Sequence, residues 1–252
     1  MGVSVYKTGT TATTENYGYT NIQFTAGESG ALTIATGSTM YYSPNSNVDI
    51  YAYAPLQTVE NFAIGTPISF SVLADQTSET AGNGYLASDL IWATPLTNVE
   101  SSSSTQNLSF VHKLARVKVA LSPGDGFVAA DLTSAQIKIL NTLPTTTFKP
   151  SNGDITEATG VATDITACTA SNTGSAIVIP QTVAKGTEFI KITLGTKVYI
   201  YSIPNGESDN AQLIESGKQY TFTITVSTQG ITLKSTQITA WTATTVTGTA
   251  TN

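Results

Sequence analysis

The feature that most constrains the fold is a seven-residue alternation, Tyr220-Thr221-Phe222-Thr223-Ile224-Thr225-Val226. Every even position is apolar and every odd position is threonine. Successive side chains of a strand point to opposite faces, so this run must bury one face and wet the other. Ser227-Thr228-Gln229-Gly230 follows, with a glycine free to take positive φ, and Ile231 and Leu233 resume the alternation. The segment reads as a C-terminal β-hairpin.

The rest of the chain repeats the theme. Short strand-like runs bounded by Gly, Pro, Asn and Ser predict strands near 3–7, 20–26, 31–35, 48–54, 68–74, 89–93 and 108–121. Further strands are expected near 136–141, 146–149, 163–168, 176–180, 189–194, 198–203, 219–227 and 231–241. One or two helical turns are expected at 129–135 and at 210–215, and nowhere is a 3.6-residue period sustained. Threonine supplies 45 of the 252 residues and charged residues only 11%, against roughly 25% in an average soluble domain. A surface of β-branched Thr rather than Lys and Glu suits solvent-facing strand positions and not amphipathic helices. The predicted class is all-β.

The strand at 108–121 changes phase. Leu108, Phe110, His112 and Leu114 take even positions, whereas Val117, Val119 and Leu121 take odd ones. Such a change calls for a bulge or sharp twist, expected near Ala115-Arg116. Ser122-Pro123-Gly124-Asp125-Gly126 then supplies the strongest break in the sequence, which predicts domains at 1–122 and 123–252.

Composition excludes several functions. With ten lysines, one arginine (Arg116) and a net charge of −6, there is no basic stripe to neutralise phosphates, so no nucleic-acid partner is expected. The scarcity of Lys and Arg suits a protein exposed to trypsin-like proteases outside the cell. Cys168 is the sole cysteine and cannot form an internal disulfide. His112 is the sole histidine. Without a nucleophile elbow or a cysteine-protease signature beside it, it reads as a hydrogen-bonded residue of the sandwich and not as a catalyst. One His and one Cys do not furnish a zinc site. Asp125-Gly126 and Asn152-Gly153-Asp154 read as turns and lack the ligand spacing of an EF-hand. Asp49 and Asp89 are two carboxylates in strand-like segments with no sign that they meet. Neither an enzyme nor a cofactor is expected. No apolar run reaches the length of a membrane span, no signal peptide is visible, and Met1-Gly2 reads as an artificial start behind a removed export signal.

Phe110-Val111-His112-Lys113-Leu114-Ala115 resembles the Phe-x-His-x-Leu-Ala strand of the fimbrillin (Mfa-like) family, surface fimbria proteins of Bacteroides and its relatives. Further pieces follow in the family's order. They are Val48 to Pro55, Ser88-Asp89-Leu90-Ile91-Trp92-Ala93, Ile179-Pro180-Gln181, Gly217-Lys218-Gln219-Tyr220 and Trp241. The resemblance implies two transthyretin-like β-sandwich domains in tandem. It also implies export as a lipoprotein precursor whose signal is not within this sequence, a place at the outer-membrane surface or in a fimbrium, and a structural or adhesive role. Its implied partners are other fimbrial subunits, joined by β-strand addition, with a host protein or glycan as receptor. The family's processing often follows an arginine, and none precedes Arg116.

The residues expected in the core are Phe110, His112, Leu114, Tyr220, Phe222 and Ile224. The tail after Trp241 has no charge, no proline and almost no large apolar side chain. It is suited to pairing and gains little from its own core. The chain from about Ile238, with Trp241 and Val246, is therefore the expected donor strand, against the plainer reading of a frayed edge. The competing function is a monomeric surface carbohydrate-binding or adhesin module, for which Tyr41, Tyr42, Tyr51, Tyr53, Tyr199 and Tyr201 would supply an aromatic surface.

Overall fold

The structure is a computed structural model that describes residues 1–10, 18–27, 30–34, 40–41, 45–80, 83–101 and 105–242, and the backbone of 244–248. Its first half holds β1 (Gly2–Lys7), β2 (Tyr19–Ala26), β3 (Leu32–Ile34), β4 (Val48–Ala54), β5 (Ile68–Ser71), α1 (Gly84–Ser88), β6 (Ile91–Ala93), β7 (Leu96–Val99), β8 (Gln106–His112) and β9 (Ala115–Pro123). A 3-10 turn, Ala129–Ser134, leads to β10 (Gln136–Thr142), β11 (Thr145–Lys149), β12 (Asp154–Ile155), β13 (Thr163–Thr166), β14 (Cys168–Ala170), β15 (Thr173–Val178) and β16 (Gln181–Val183). The chain ends with β17 (Glu188–Leu194), β18 (Lys197–Ser202), β19 (Gln212–Ile214), β20 (Lys218–Ser227), β21 (Gly230–Ala240) and β22 (Thr244–Gly248). The fold is all-β.

The alternation at 220–226 does what its period demands. Tyr220, Phe222, Ile224 and Val226 are fully buried, and the threonines between them are half-exposed. β20 runs antiparallel to β21 along its length and parallel to β9 on its other side. With β14 and β15 these strands form a five-stranded sheet, in the order β14-β15-β9-β20-β21. A four-stranded sheet, β13-β10-β17-β18, shares its core. Phe189 of β17 meets Phe222 edge-on at 5.7 Å between ring centres, a favoured aromatic geometry.

A separate sheet of eight strands follows the order β22-β8-β6-β4-β1-β2-β3, with β7 paired to β4. Its own core is small: Val3, Val5, Val48, Ile50, Ala52, Ala93, Leu108 and Phe110.

Sheet membership does not follow the expected split into 1–122 and 123–252. β9 belongs to the five-stranded sheet, and the Pro-Gly segment after it is a turn within that body, where Gly124 N–H donates to Val226 O at 2.8 Å. The segment between β4 and β6 also crosses over. β5 pairs with β11, and the fully buried Gln76 exchanges hydrogen bonds with the backbone of Ile177 at 2.7 and 2.9 Å. The phase change falls at Lys113-Leu114, which lie outside any strand, and not as a bulge at Ala115-Arg116. There the chain leaves one sheet and enters another, so each half keeps its own inward face. The helical turn expected at 129–135 is the 3-10 turn. That expected at 210–215 is instead β19, paired with β16. A segment this short cannot nucleate a helix by itself, and an extended neighbour is there to satisfy its backbone.

Candidate assembly site

β8 carries the alternation of a half-buried strand. Leu108 and Phe110 enter the small core, while Asn107, Ser109 and Val111 face solvent. His112 ends the strand. Its Nδ1–H donates to Asp89 Oδ1 at 2.8 Å, which fixes the ring's orientation. Asp89 is brought there by α1, whose last residue, Ser88, is fully buried and donates to Gly84 O at 2.9 Å. Trp241 lies flat on His112, with ring centres 3.7 Å apart and planes 4° from parallel.

Gly217 closes the cluster. Its N–H donates to Leu114 O at 2.9 Å, and its own carbonyl accepts from Trp241 N–H at 2.8 Å. Its φ of +67° is left-handed, and a Cβ there would stand 3.4 Å from His112 O. Glycine is the residue that takes this position without strain. Asp89, His112, Gly217 and Trp241 come from four separated segments and meet where the two bodies join.

From this cluster the tail turns onto the outer edge of β8. Thr244 to Gly248 pair antiparallel with Phe110 to Gln106, and Val246 stands opposite Leu108. On its other side β8 pairs with β6 only through Phe110, Val111 and His112. Among the described residues Gln106 to Ser109 take their strand pairing from the tail, and Ser109 O also accepts from Thr94 N–H at 3.3 Å. Ile238 lies upstream on β21, opposite Tyr220, and is 53% exposed. Residues 249–252 lie outside the described residues.

The other expected residues fall as follows. Phe110, Leu114, Tyr220, Phe222 and Ile224 are fully buried, and His112 is half-buried. Asp49 and Asp89 have separate partners: Asp49 accepts from Thr8 Oγ1 and from Asn98 N–H, each at 2.9 Å. Cys168 is half-buried, and burial first and the nearby Glu79 carboxylate second push its thiol pKa up, away from a reactive thiolate. Asn152 and Asp154 hydrogen-bond each other across their turn. Among the described residues no three His, Cys, Asp or Glu side chains are placed to hold a metal ion.

The tyrosines are dispersed. Tyr53 is buried, Tyr51 meets Tyr6 edge-on at 6.1 Å, and Tyr201 tilts against Phe222 at 5.9 Å. Tyr199 is half-buried, Tyr41 is 62% exposed, and Tyr42 lies outside the described residues. The acceptor edge of β8 and the pairing of His112 with Asp89 were not read from the sequence. The alternation at 106–112 was the only visible signal for the first.

The fold is all-β, and its last described strand lies on a sheet edge formed far upstream in the same chain. The fimbrillin-like family profile matches residues 1–241, and the chain belongs to that family. A Bacteroides uniformis protein, the candidate fimbrium subunit Fim1C, is 24% identical over 230 residues, covering 90% of this chain and 72% of that protein. Two solved structures of candidate cell-adhesion proteins share the fold. The one from Bacteroides uniformis has a TM-score of 0.71 at 22% identity and covers 96% of this chain and 91% of its own. The one from Bacteroides ovatus also has a TM-score of 0.71, at 20% identity, covering 95% and 87%.

Proposed function

We propose that this chain is a structural or adhesive subunit of a cell-surface fimbria, exported to the outer-membrane surface and joined to its neighbours by β-strand addition. The donor is the tail beyond Trp241, with Val246 at its centre, since Ile238 is already paired with Tyr220 and Trp241 is held on Gly217, and the acceptor is the outer edge of β8. The observation that carries this reading is the backbone register of Thr244–Gly248 on Gln106–Phe110. A tail that fits this edge in register supports a donor role for the one and an acceptor role for the other. Backbone ladder bonds give strength, and the inward alternation of β8 gives register. Family membership supports the fimbrial role, and the fate of the tyrosines favours it over a monomeric sugar-binding module. Tyr51, Tyr53 and Tyr201 are spent on ring contacts within the protein.

Deleting residues 242–252 tests this directly. The truncated chain should fold with an unchanged far-UV spectrum and fail to form fimbriae on cells. Fimbriae of normal length and number from the truncated chain would remove the tail from the assembly mechanism.

A further inference from the structure

The five-stranded sheet ends in β21, and among the described residues no strand pairs with its outer side. We infer that this edge is a docking surface for the β21 of a second copy of this chain, the two strands running antiparallel about a two-fold axis through Ile238. It stands apart from the strand-addition reading above, since it uses a different strand and no strand has to leave its place.

β21 is the longest edge in the fold. Among the described residues the other strands at sheet edges hold two to six residues, and β21 holds eleven. Proteins blunt such edges with charge, proline or a bulge. β21 has two of these devices, and both fall at one residue. Lys234 is its only charge, and it is also the extra residue of the bulge, because Leu233 pairs with Ile224 and Ser235 with Thr223. Residues 235–240 carry no charge and no proline, pair with β20 without interruption, and are exposed on both faces.

The core stops one strand short of this edge. Lys197 to Ile200 of β18 come against only the start of β21, where with Thr228 to Ile231 they line an open cleft of about 550 Å³. Further along, Ile238 stands opposite Tyr220 on the same face. Tyr220 is fully buried, and Ile238 is 53% exposed.

A second copy supplies what this stretch lacks. Two-fold pairing keeps each side chain on its own face when the axis passes through a residue. With the axis at Ile238, that residue meets itself, Gln237 meets Thr239, and Thr236 meets Ala240. The two exposed isoleucines then cover each other. The two Lys234 side chains lie four residues from the axis on either side, about 27 Å apart at the rise of a strand, well beyond a screening length of about 8 Å. An axis at Lys234 would instead set like charges face to face. The ladder is short beside a standard interface of about 800 Å² per partner, so lone subunits associate weakly and the contact gains strength where many copies are arrayed together.

The test is the full chain with Ile238→Cys in a Cys168→Ser background. Opposed residues of an antiparallel pair have Cα atoms about 4.5–5.5 Å apart, within the roughly 4.4–6.8 Å that a disulfide bridges. Oxidation should give a covalent dimer whose yield rises with protein concentration. Thr236→Cys and Ala240→Cys should each stay monomeric alone and cross-link when mixed, which reads the register directly. Ile238→Lys sets two charges on the axis and should weaken self-association in sedimentation by at least about tenfold. Equal dimer yields from Ile238→Cys and Thr236→Cys would be random collision and would overturn the pairing, as would a mixture of Thr236→Cys and Ala240→Cys that stays monomeric. Cross-linking of Ile238→Cys to a Val246→Cys copy would put a neighbour's tail on β21 and overturn the pairing of like edges. Should Ile238→Lys fold poorly, the cysteine variants decide the case by themselves.

Discussion

The two bodies of the molecule are stabilised to different degrees. Among the described residues the larger core holds thirty-two buried apolar side chains, and the first sheet's core holds eight. The larger core is built mainly between the five- and four-stranded sheets, is joined by Ile68, Phe70, Phe148 and Tyr53 from other strands, and is crossed by aromatic contacts such as Phe189 on Phe222. The smaller serves a sheet of eight strands, of which β1 and β22 are formed by the two ends of the described chain. Burying apolar area is the main favourable term in folding. The first sheet therefore has less to hold it, and one of its edge strands is a tail joined by backbone pairing. The larger body is therefore expected to open last and the first sheet, at its β22 edge, first.

Core truncation gives the sharpest contrast. Phe222→Ala should cost about 4–5 kcal/mol, the upper part of the range for a large aromatic, because Phe189 and Tyr201 enclose it on a central strand that cannot collapse into the gap. Phe110→Ala should cost about 3–4 kcal/mol, since its smaller core can relax toward the edge. Urea unfolding measures both losses. Amide exchange decides whether they are separate. Phe110→Ala should speed exchange in 106–112 and 48–54 and leave 219–226 slow. Equal acceleration in 219–226 would mean that the two cores open as one, and the contrast would fail.

The seam between the bodies comes next. Gly153 has φ +73°, and a Cβ there would lie 2.6 Å from the Trp92 ring. Trp92 is fixed by its indole N–H on Pro150 O at 2.8 Å and by Lys113 Nζ, 5.4 Å above its ring. Gly153→Ala should cost about 2–3 kcal/mol, combining the left-handed penalty with displacement of a pinned ring. A loss under about 0.5 kcal/mol would show that Trp92 is free to move and that the seam is loose.

What could be read from the sequence followed burial. At 220–226 and 108–112 one face is buried, so a period of two is written in the residue types, and register follows from it. β22 has no such pattern. A run of threonine with one valine and a glycine predicts pairing but not a partner, and its slot on β8 lies about 140 residues upstream. β7, β12, β14, β16 and β19 are two to four residues long, below the length at which alternation can be seen. Asp89 and His112 were both visible. Their meeting depends on α1, five residues that show no helical period. The Pro-Gly segment at 123–126 looked like a linker because a turn inside a sandwich uses the same residues.

The smallest expected effect is at Trp241, where the comparison can be read from a single ring. Trp241 is half-buried at the rim of the larger core and stacks on His112 of the first sheet, so it belongs partly to each body. Its backbone bond to Gly217 survives any side-chain change. Trp241→Ala removes a stacked pair worth about 0.5–1.5 kcal/mol beyond burial, and the partial burial adds little more, so a total loss of about 1–2 kcal/mol is expected in urea unfolding. The location of the loss matters more than its size. If the ring is the pivot of the tail, exchange should quicken at 106–112, where β22 sits, and stay unchanged at 219–226. Trp241→Phe keeps an aromatic face on His112 and should recover most of the protection at 106–112. A loss above about 3 kcal/mol, spread into 219–226, would place Trp241 in the rigid body instead.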